Sequence, residues 1–176
     1  TTQDEDLAWR LRSIRTHGQR LGFDTERLGH NYRMMELQAA IGLAQLKKLP
    51  GFLEARRRNA QALTEALEGS DHLTPPIEPP GYRHNWYLYT VRAPPSIRDR
   101  LVEALNKAGV GAAVYYRAPL HATPFLSKAA KVDGPLSNAE LASRTLLQLP
   151  VHPAVTEEQA KRIGEEARRL ARELSG

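Results

Sequence analysis

The stretch from Leu28 to Leu49, LGHNYRMMELQAAIGLAQLKKL, decides the fold prediction because it contains a helix start and a long apolar face. Asn31 is the predicted N-cap, since an asparagine side chain accepts a hydrogen bond from the N–H groups of the first helical turn. Leu37 and Ile41 then repeat at helical spacing. We therefore expect an amphipathic helix that begins at Asn31.

The same stretch carries a polar cluster at the predicted helix start. Asn31 and Arg33 supply an amide and a guanidinium beside the positive end of the helix dipole. This combination favours an anionic group, for example a phosphate. The pattern also fits a capped helix with a solvated arginine, and the residues alone leave both interpretations open.

Composition limits the class of protein. Hydrophobic residues make up 41% and charged residues 26% of the chain, which are ordinary values for a folded globular protein. The net charge of +5 favours anionic partners, among which nucleotides, sugar phosphates and nucleic acids all fit. The absence of cysteine excludes disulfides, thiol catalysis and cysteine-ligated zinc. Because no apolar run approaches the roughly 20 residues that span a bilayer, we predict a soluble cytoplasmic protein without a membrane partner.

The residues before this stretch predict a helix followed by a loop. Thr1 or Thr2 is the expected capping residue of the helix. Its predicted buried stripe comprises Leu7, Leu11 and Ile14. Residues 19–29 show no periodicity and predict a loop.

After the stretch, Pro50 and Gly51 predict a bend, because proline removes a hydrogen bond from a helix interior. A second helix is expected over residues 52–67. Its Arg56-Arg57-Arg58 run resembles a nucleic-acid-binding segment, but consecutive helical residues point about 100° apart and do not form one flat patch. We expect a solvated face instead, with glutamates interspersed, and a nucleic-acid partner is not expected through this run.

The rest of the chain predicts a small layer of helices on strands. Residues 74–81 contain four prolines and predict an extended connector. Strands are expected at 84–93 and 110–116, helices at 97–109, at 137–147 and after Thr156, an irregular loop at 117–134 and a short extended piece at 147–153. The expected fold class is therefore α/β or α+β with a high helix content.

Six blocks of the chain resemble one family in their order and spacing. They are RSIRTHG, LGHNYRMMELQAAIGLAQLKKL, ARRRNA, HNWYLYTVR, AGVGAAVYYRAPLH and LLQLPVHPAVTEEQ. Together they resemble the C-terminal part of the pyridoxal-phosphate-dependent sugar aminotransferases, the DegT/DnrJ/EryC1/StrS group. Six linked blocks are far more specific than one short motif.

The resemblance implies a fold-type-I aminotransferase that moves an amino group, usually from glutamate, to a nucleotide-linked keto sugar. Residues 1–30 would then be a remnant of the large cofactor domain and residues 31–70 the interdomain and dimer helices. Residues 71–176 would be a small C-terminal α/β domain with a mostly antiparallel sheet. The resemblance also implies a homodimer, in which the two protomers complete each other's active sites.

Site residues follow from the same resemblance. Asn31 would contact the phosphate group of the pyridoxal phosphate that is bound in the neighbouring subunit. Arg33 would lie in the same polar region. Tyr116 and His121 match the tyrosine and histidine of the family's HYPxPLH loop, which lies near the nucleotide sugar. Arg117 would add a contact to the diphosphate.

The chain departs from the family in two respects. Tyr115 replaces the loop's usual histidine and Arg117 its usual proline, which leaves the substrate's identity open. The larger departure concerns the lysine that holds pyridoxal phosphate as a Schiff base in such a transaminase, because the chain contains no recognisable counterpart of it. None of the six lysines stands in the family's Ser-x-x-x-x-Lys, glycine-rich context; they are Lys47, Lys48, Lys107, Lys128, Lys131 and Lys161.

In the family that lysine comes shortly before the block that resembles the start of this chain. We therefore expect it upstream of Thr1, and we predict no catalytic residue within these 176 residues. The chain alone is then expected neither to bind the cofactor covalently nor to catalyse transamination.

Two other classes stay open. The chain could be a non-catalytic interaction or regulatory module, or, given its net charge, one that binds DNA. The histidines, His84 and His152 among them, show no ligand spacing, so we expect no metal site.

Overall fold

The computed structural model describes residues 1–129 and 131–176. These residues form two compact units, which we call the N-terminal unit, Thr1–Lys48, and the C-terminal unit, Leu49–Gly176. Their helices are α1 (Glu5–Arg15), α2 (Glu36–Leu67), α3 (Arg98–Lys107), α4 (Leu126–Ala129), α5 (Ser137–Thr145) and α6 (Glu157–Ser175), and their strands are β1 (Tyr89–Arg92) and β2 (Leu146–Leu149). This helix-rich fold with a small antiparallel sheet confirms the predicted fold class.

In the N-terminal unit, α1 begins slightly later than predicted. Asp4, rather than Thr1 or Thr2, is its N-cap, and the Asp4 side chain accepts the Leu7 N–H at 3.0 Å. The predicted stripe is exposed and not buried; it consists of Leu7, Leu11 and Ile14. Of residues 1–48, all of which are described, only Ser13 and Gly18 are buried.

The predicted role of Asn31 as a helix N-cap is wrong. Asn31 is extended and pairs with Thr16 in an isolated antiparallel bridge, and α2 begins five residues later, at Glu36. The first turn of α2 is closed by Gln38, whose side-chain oxygen accepts the Met35 N–H at 2.9 Å. The extended conformation of Asn31 is favoured over a helix start at this residue, because pairing with the end of α1 satisfies main-chain hydrogen-bonding groups on both segments.

The predicted start of a second helix after Pro50 is also wrong, since α2 is one continuous helix from Glu36 to Leu67. Proline inside a helix costs about 3 kcal/mol because it cannot donate a backbone hydrogen bond. Good helix formers on both sides, including Leu49 and Leu53, let the remaining hydrogen bonds of the helix offset that cost.

The sheet of the C-terminal unit is smaller than predicted. β1 pairs antiparallel with β2, with Tyr89 opposite Leu149 and Arg92 opposite Leu146. The predicted strand at 84–93 is shortened at its start because Trp86 has a φ of 50°, a left-handed backbone conformation. The predicted strand at 110–116 is wrong: only Ala113 pairs, in an isolated bridge with Gln148.

The core lies in the C-terminal unit, where α2, α3 and α6 bury apolar faces as their periodicity predicts. Leu101 and Leu105 of α3 are completely buried, and Gly109, with a φ of 81°, follows the helix. α6 starts with a capping box, in which Thr156 and Gln159 satisfy each other's backbone N–H groups. Among the helices in the described part of the chain, none has the length and apolarity needed to cross a membrane.

Candidate functional site

Asn31 and Arg33 form a small cluster of donors in the N-terminal unit. The Arg33 Nε–H donates to Asn31 Oδ1 at 3.0 Å, and both side chains are exposed. This bond occupies the only acceptor of the pair, so the amide Nδ2 and the guanidinium Nη groups are left to donate. Such a cluster suits a phosphate oxygen, which accepts hydrogen bonds and carries negative charge.

A close crossing of two chain segments holds this cluster in place. The backbone N–H groups of His30 and Tyr32 donate to the carbonyls of Ile14 and Arg15, at 2.8 and 2.9 Å. Gly18 has a φ of 74°, and a Cβ added to it would lie 1.7 Å from the Arg27 carbonyl oxygen. This requirement was not predicted from the sequence, although glycines in both the RTHG and LGHNYR blocks were a signal of close backbone approach.

Tyr116 and His121 line one cavity of about 610 Å³ in the C-terminal unit. Most of its other lining residues are aliphatic, among them Leu120 and Leu136. His121 Nε2 lies 3.3 Å from Glu140 Oε1, which orients the ring. The structure thus brings two of the three predicted substrate-binding residues to one cavity.

Arg117, the third of these residues, does not line that cavity. Its Nη1 donates to Asp99 Oδ1 at 3.2 Å, and Asp99 also accepts from Arg98 Nε at 2.9 Å. Because the Arg117 side chain is largely exposed, this pair is screened by water and holds the guanidinium weakly. Its contact with a diphosphate stays a prediction.

A second cavity of about 840 Å³ was not anticipated from the sequence. Its lining includes Arg56, Tyr87, His152 and Arg162, together with backbone from the segment after α3. No short motif marks these residues, because they come from four separate segments that only the fold brings together.

Arg56 and Arg57 do not belong to the solvated face that was predicted for the Arg56-Arg57-Arg58 run. Arg56 Nη1 donates to the carbonyl oxygens of Trp86 and Tyr87, at 3.1 and 3.0 Å. These two bonds anchor the turn that precedes β1. Arg56 therefore holds Tyr87, which lines the second cavity, in place.

Arg57 forms a two-pronged ion pair with Glu78, with N–O distances of 2.7 and 3.0 Å. Glu78 also accepts the backbone N–H of His84. The Arg57 hydrogen bonds first, and the His84 N–H second, lower the pKa of Glu78 from 4.5 to about 2. The connector that carries Glu78 is thus tied to α2.

The chain does not fit the aldehyde end of pyridoxal phosphate. A lysine that attacks an aldehyde must be partly neutral, which requires a desolvated environment or a nearby positive charge. All six lysines are exposed. The residues present therefore fit a phosphate contact at Asn31 and Arg33, and the position of the reactive lysine outside this chain stays a prediction. In the described residues, no cluster of three His, Asp or Glu side chains could hold a metal ion.

Comparisons with known proteins agree on one family. The profile of the DegT/DnrJ/EryC1/StrS aminotransferase family matches residues 1–168. A pleiotropic regulatory protein of Geobacillus stearothermophilus is 37% identical, over 93% of this chain and 44% of its own length. UDP-N-acetyl-3-dehydro-alpha-D-glucosamine 3-aminotransferase of Acidithiobacillus ferrooxidans is 34% identical, over 96% of this chain and 44% of its own length.

Solved structures give the same result. The crystal structure of S. venezuelae DesV superposes with a TM-score of 0.87 and 32% identity, over 97% of this chain and 46% of that one. The chain thus spans less than half the length of the relatives it matches. The resemblance that the six sequence blocks predicted is confirmed: the chain belongs to the DegT/DnrJ/EryC1/StrS aminotransferase family.

Proposed function

We propose that this chain is the C-terminal part of a pyridoxal-phosphate-dependent enzyme that transfers an amino group, from glutamate, to a nucleotide-linked keto sugar. The observation that supports this most strongly is the family match over residues 1–168, in a chain that covers under half of its relatives. Relatives named for this chemistry act on UDP- and dTDP-linked sugars.

In this proposal the chain binds and orients, while the reactive amine comes from a segment upstream of Thr1. Pyridoxal phosphate would supply the electron sink for moving the amino group. Asn31 and Arg33 would donate hydrogen bonds to its phosphate in the neighbouring subunit. Tyr116 and His121 would contact the nucleotide sugar, with Arg117 near its diphosphate.

A homodimer follows from the same proposal, and the exposed apolar surface of residues 1–52 supports it. Fifteen large hydrophobic side chains there are exposed, among them Phe23, Ile41 and Leu43. Soluble monomers seldom expose contiguous apolar patches of more than a few hundred Å². Burial of these side chains against the other parts of a dimeric enzyme would remove their apolar surface from water. The proposed enzyme is cytoplasmic, as the sequence analysis predicts.

The chain alone should not catalyse transamination, because its six lysines are exposed. Mixing it with pyridoxal phosphate should give no visible absorbance band of a lysine-bound cofactor and no transfer from glutamate. A stable band that disappears when one of the six lysines is replaced would contradict the assignment.

The proposal as a whole is tested on the reading frame that extends upstream of Thr1. The longer protein should bind pyridoxal phosphate through a lysine of the added segment and transfer an amino group from glutamate to a keto sugar nucleotide. Within it, Asn31→Asp should weaken cofactor binding because a carboxylate repels the phosphate, whereas Asn138→Asp, an exposed control, should not. A reading frame whose initiating methionine directly precedes Thr1 would overturn the proposal.

A further inference from the structure

The turn that precedes β1 contains a residue in an unfavourable backbone conformation. Among the described residues of the C-terminal unit, Trp86 is the only one other than glycine with a positive φ, at 50°. Its side chain is 7% exposed, and its indole Nε1–H is buried without a hydrogen-bond acceptor in the described part of the chain. A strained residue of this kind persists only where its surroundings hold it in place. The contacts around Trp86 therefore decide whether the turn keeps its shape.

His84 provides the contact that fixes the backbone of Trp86. The Trp86 backbone N–H donates to His84 Nδ1 at 2.7 Å, and the two rings lie 4.4 Å apart. A ring nitrogen accepts a hydrogen bond only when it carries no proton, so the imidazole is neutral, with its proton on Nε2. The next bond in the turn follows the same pattern, since Asn85 Oδ1 accepts the Tyr87 N–H at 3.0 Å. The observed turn thus requires an unprotonated Nδ1 on His84.

A second proton on the His84 ring would remove this contact. Histidine side chains change charge between about pH 5 and pH 8, and in the charged ring both nitrogens are donors. The Nδ1–H would then point at the Trp86 N–H, and two donors cannot bond each other. Because His84 is exposed, water can deliver the proton. The bond is therefore present when the ring is neutral and is lost as the pH falls and the ring becomes charged.

The charged groups around His84 keep their charge over this pH range. Glu78 in the connector accepts the His84 backbone N–H, and Arg57 of α2 donates to the His84 carbonyl at 3.1 Å. The hydrogen bonds from Arg57 first, and that N–H second, lower the pKa of Glu78 to about 2, so its carboxylate stays ionised. The opposite charges of this pair largely offset each other at the ring, while Arg56, also of α2, donates to the Trp86 carbonyl. The change of charge at the turn therefore comes from His84.

Tyr87 connects this turn to the second cavity, which it helps to line. Asn85 accepts the Tyr87 N–H and Arg56 donates to the Tyr87 carbonyl, so the orientation of the residue depends on the shape of the turn. We propose that residues 84–87 are a pH-sensitive switch, in which neutral His84 holds Tyr87 at the second cavity and protonated His84 releases it. The switch is independent of the proposed function, because it depends only on contacts within the C-terminal unit.

Hydrogen exchange of backbone amides in the 176-residue chain, followed by NMR, tests the switch. Protection factors, which correct for the intrinsic effect of pH on exchange, are compared at about pH 7.5 and about pH 5.5. The Trp86 amide should lose at least about tenfold in protection at the lower pH, because its acceptor is lost. The Arg92 amide, which donates to the Thr74 carbonyl at 3.0 Å, should stay protected at both.

Three variants separate the hydrogen-bond acceptor of His84 from its charge. In His84→Asn, Oδ1 stands as many bonds from the backbone as Nδ1 of histidine and accepts at either pH, so the Trp86 amide should stay protected at both. In His84→Gln the side-chain oxygen lies one bond farther from the backbone, so protection of Trp86 should be low at both. His72→Asn makes the same substitution at another histidine of the C-terminal unit and should retain the wild-type fall.

A second readout follows the ring resonances of Tyr87. They should shift with pH in the wild type together with the protection of Trp86, and should not do so in His84→Asn; constant Tyr87 resonances in the wild type would overturn the inference. An equal fall of Trp86 protection in wild type and His84→Asn, no fall in the wild type, or a fully protected Trp86 amide in His84→Gln would overturn it too. Equal loss of protection at Arg92 would mean that acid opens the whole unit, with the same consequence.

Discussion

Leu63 and Leu101 of the C-terminal unit are completely buried, whereas Leu43 and Phe23 of the N-terminal unit are 64% and 94% exposed. Every buried hydrophobic side chain of the described core lies between residues 60 and 171. The C-terminal unit thus obtains its hydrophobic stabilisation from its own chain. The N-terminal unit keeps its shape through backbone pairing and close glycine packing, and its apolar side chains gain stabilisation only when something else covers them.

The largest expected effect tests this contrast with one substitution in each unit. Leu101→Ala should lower the free energy of unfolding by about 2–5 kcal/mol, because it leaves a cavity in the core. Leu43→Ala removes the same atoms from an exposed position and should change it by less than about 0.5 kcal/mol. Urea unfolding followed by circular dichroism, at concentrations where the chain is monomeric, measures both. Similar losses for the two variants would contradict the contrast.

A second test asks whether glycine packing holds the N-terminal unit together. Gly18 and Gly22 both have positive φ, but only a Cβ on Gly18 would meet backbone, 1.7 Å from the Arg27 oxygen. Gly18→Ala should destabilise the local structure by about 1–3 kcal/mol and speed hydrogen exchange at His30 and Tyr32. Gly22→Ala carries only the backbone strain and should leave those two amides protected. Equal protection in both variants would show that the crossing tolerates a side chain.

A third, smaller effect compares two helical glycines. A Cβ on Gly164 of α6 would lie 2.6 Å from Ala66 Cβ, whereas one on Gly42 of α2 would meet nothing within 4 Å. Gly164→Ala should lower the free energy of unfolding, by about 1–2 kcal/mol, because the clash exceeds the gain in helix propensity. Gly42→Ala should raise it by up to about 1 kcal/mol or leave it unchanged. Thermal unfolding distinguishes the two signs, and a stabilised Gly164→Ala would mean that α6 can move away from α2.

The sequence predicted the C-terminal unit better than the N-terminal one, and the reason is physical. Helices α3 and α6 bury the faces that their periodicity marks, and Thr156 caps α6 as predicted. Leu7 and Leu11 show the same kind of periodicity, yet they are exposed. Periodicity shows that a face is apolar, but it does not show whether the covering partner belongs to the same chain.

Candidate site residues could be named from the sequence where family blocks carry them, but not where only the fold brings residues together. Asn31, Tyr116 and His121 came from motif positions, although Asn31 was wrongly expected to cap a helix. Gln148 lies in the LLQLPVHP block, and its side-chain oxygen accepts the backbone N–H of Tyr115. That contact spans 33 residues of sequence, and no local pattern encodes it.

The smallest expected effect concerns acid stability. Because folding lowers the pKa of Glu78 from 4.5 to about 2, this ion pair stabilises the fold fully above pH 4.5 and loses that contribution as the pH falls toward 2. Glu78→Gln should therefore flatten the fall in unfolding free energy over that range. Glu26→Gln removes the more exposed pair with Arg20 in the N-terminal unit, where water screens the charges, and should change the free energy of unfolding less than Glu78→Gln does. Urea unfolding at a series of pH values compares the three proteins. Parallel curves for wild type and Glu78→Gln below pH 4.5 would mean that Arg57 and Glu78 are not paired in solution, and that this ion pair does not tie the connector to α2.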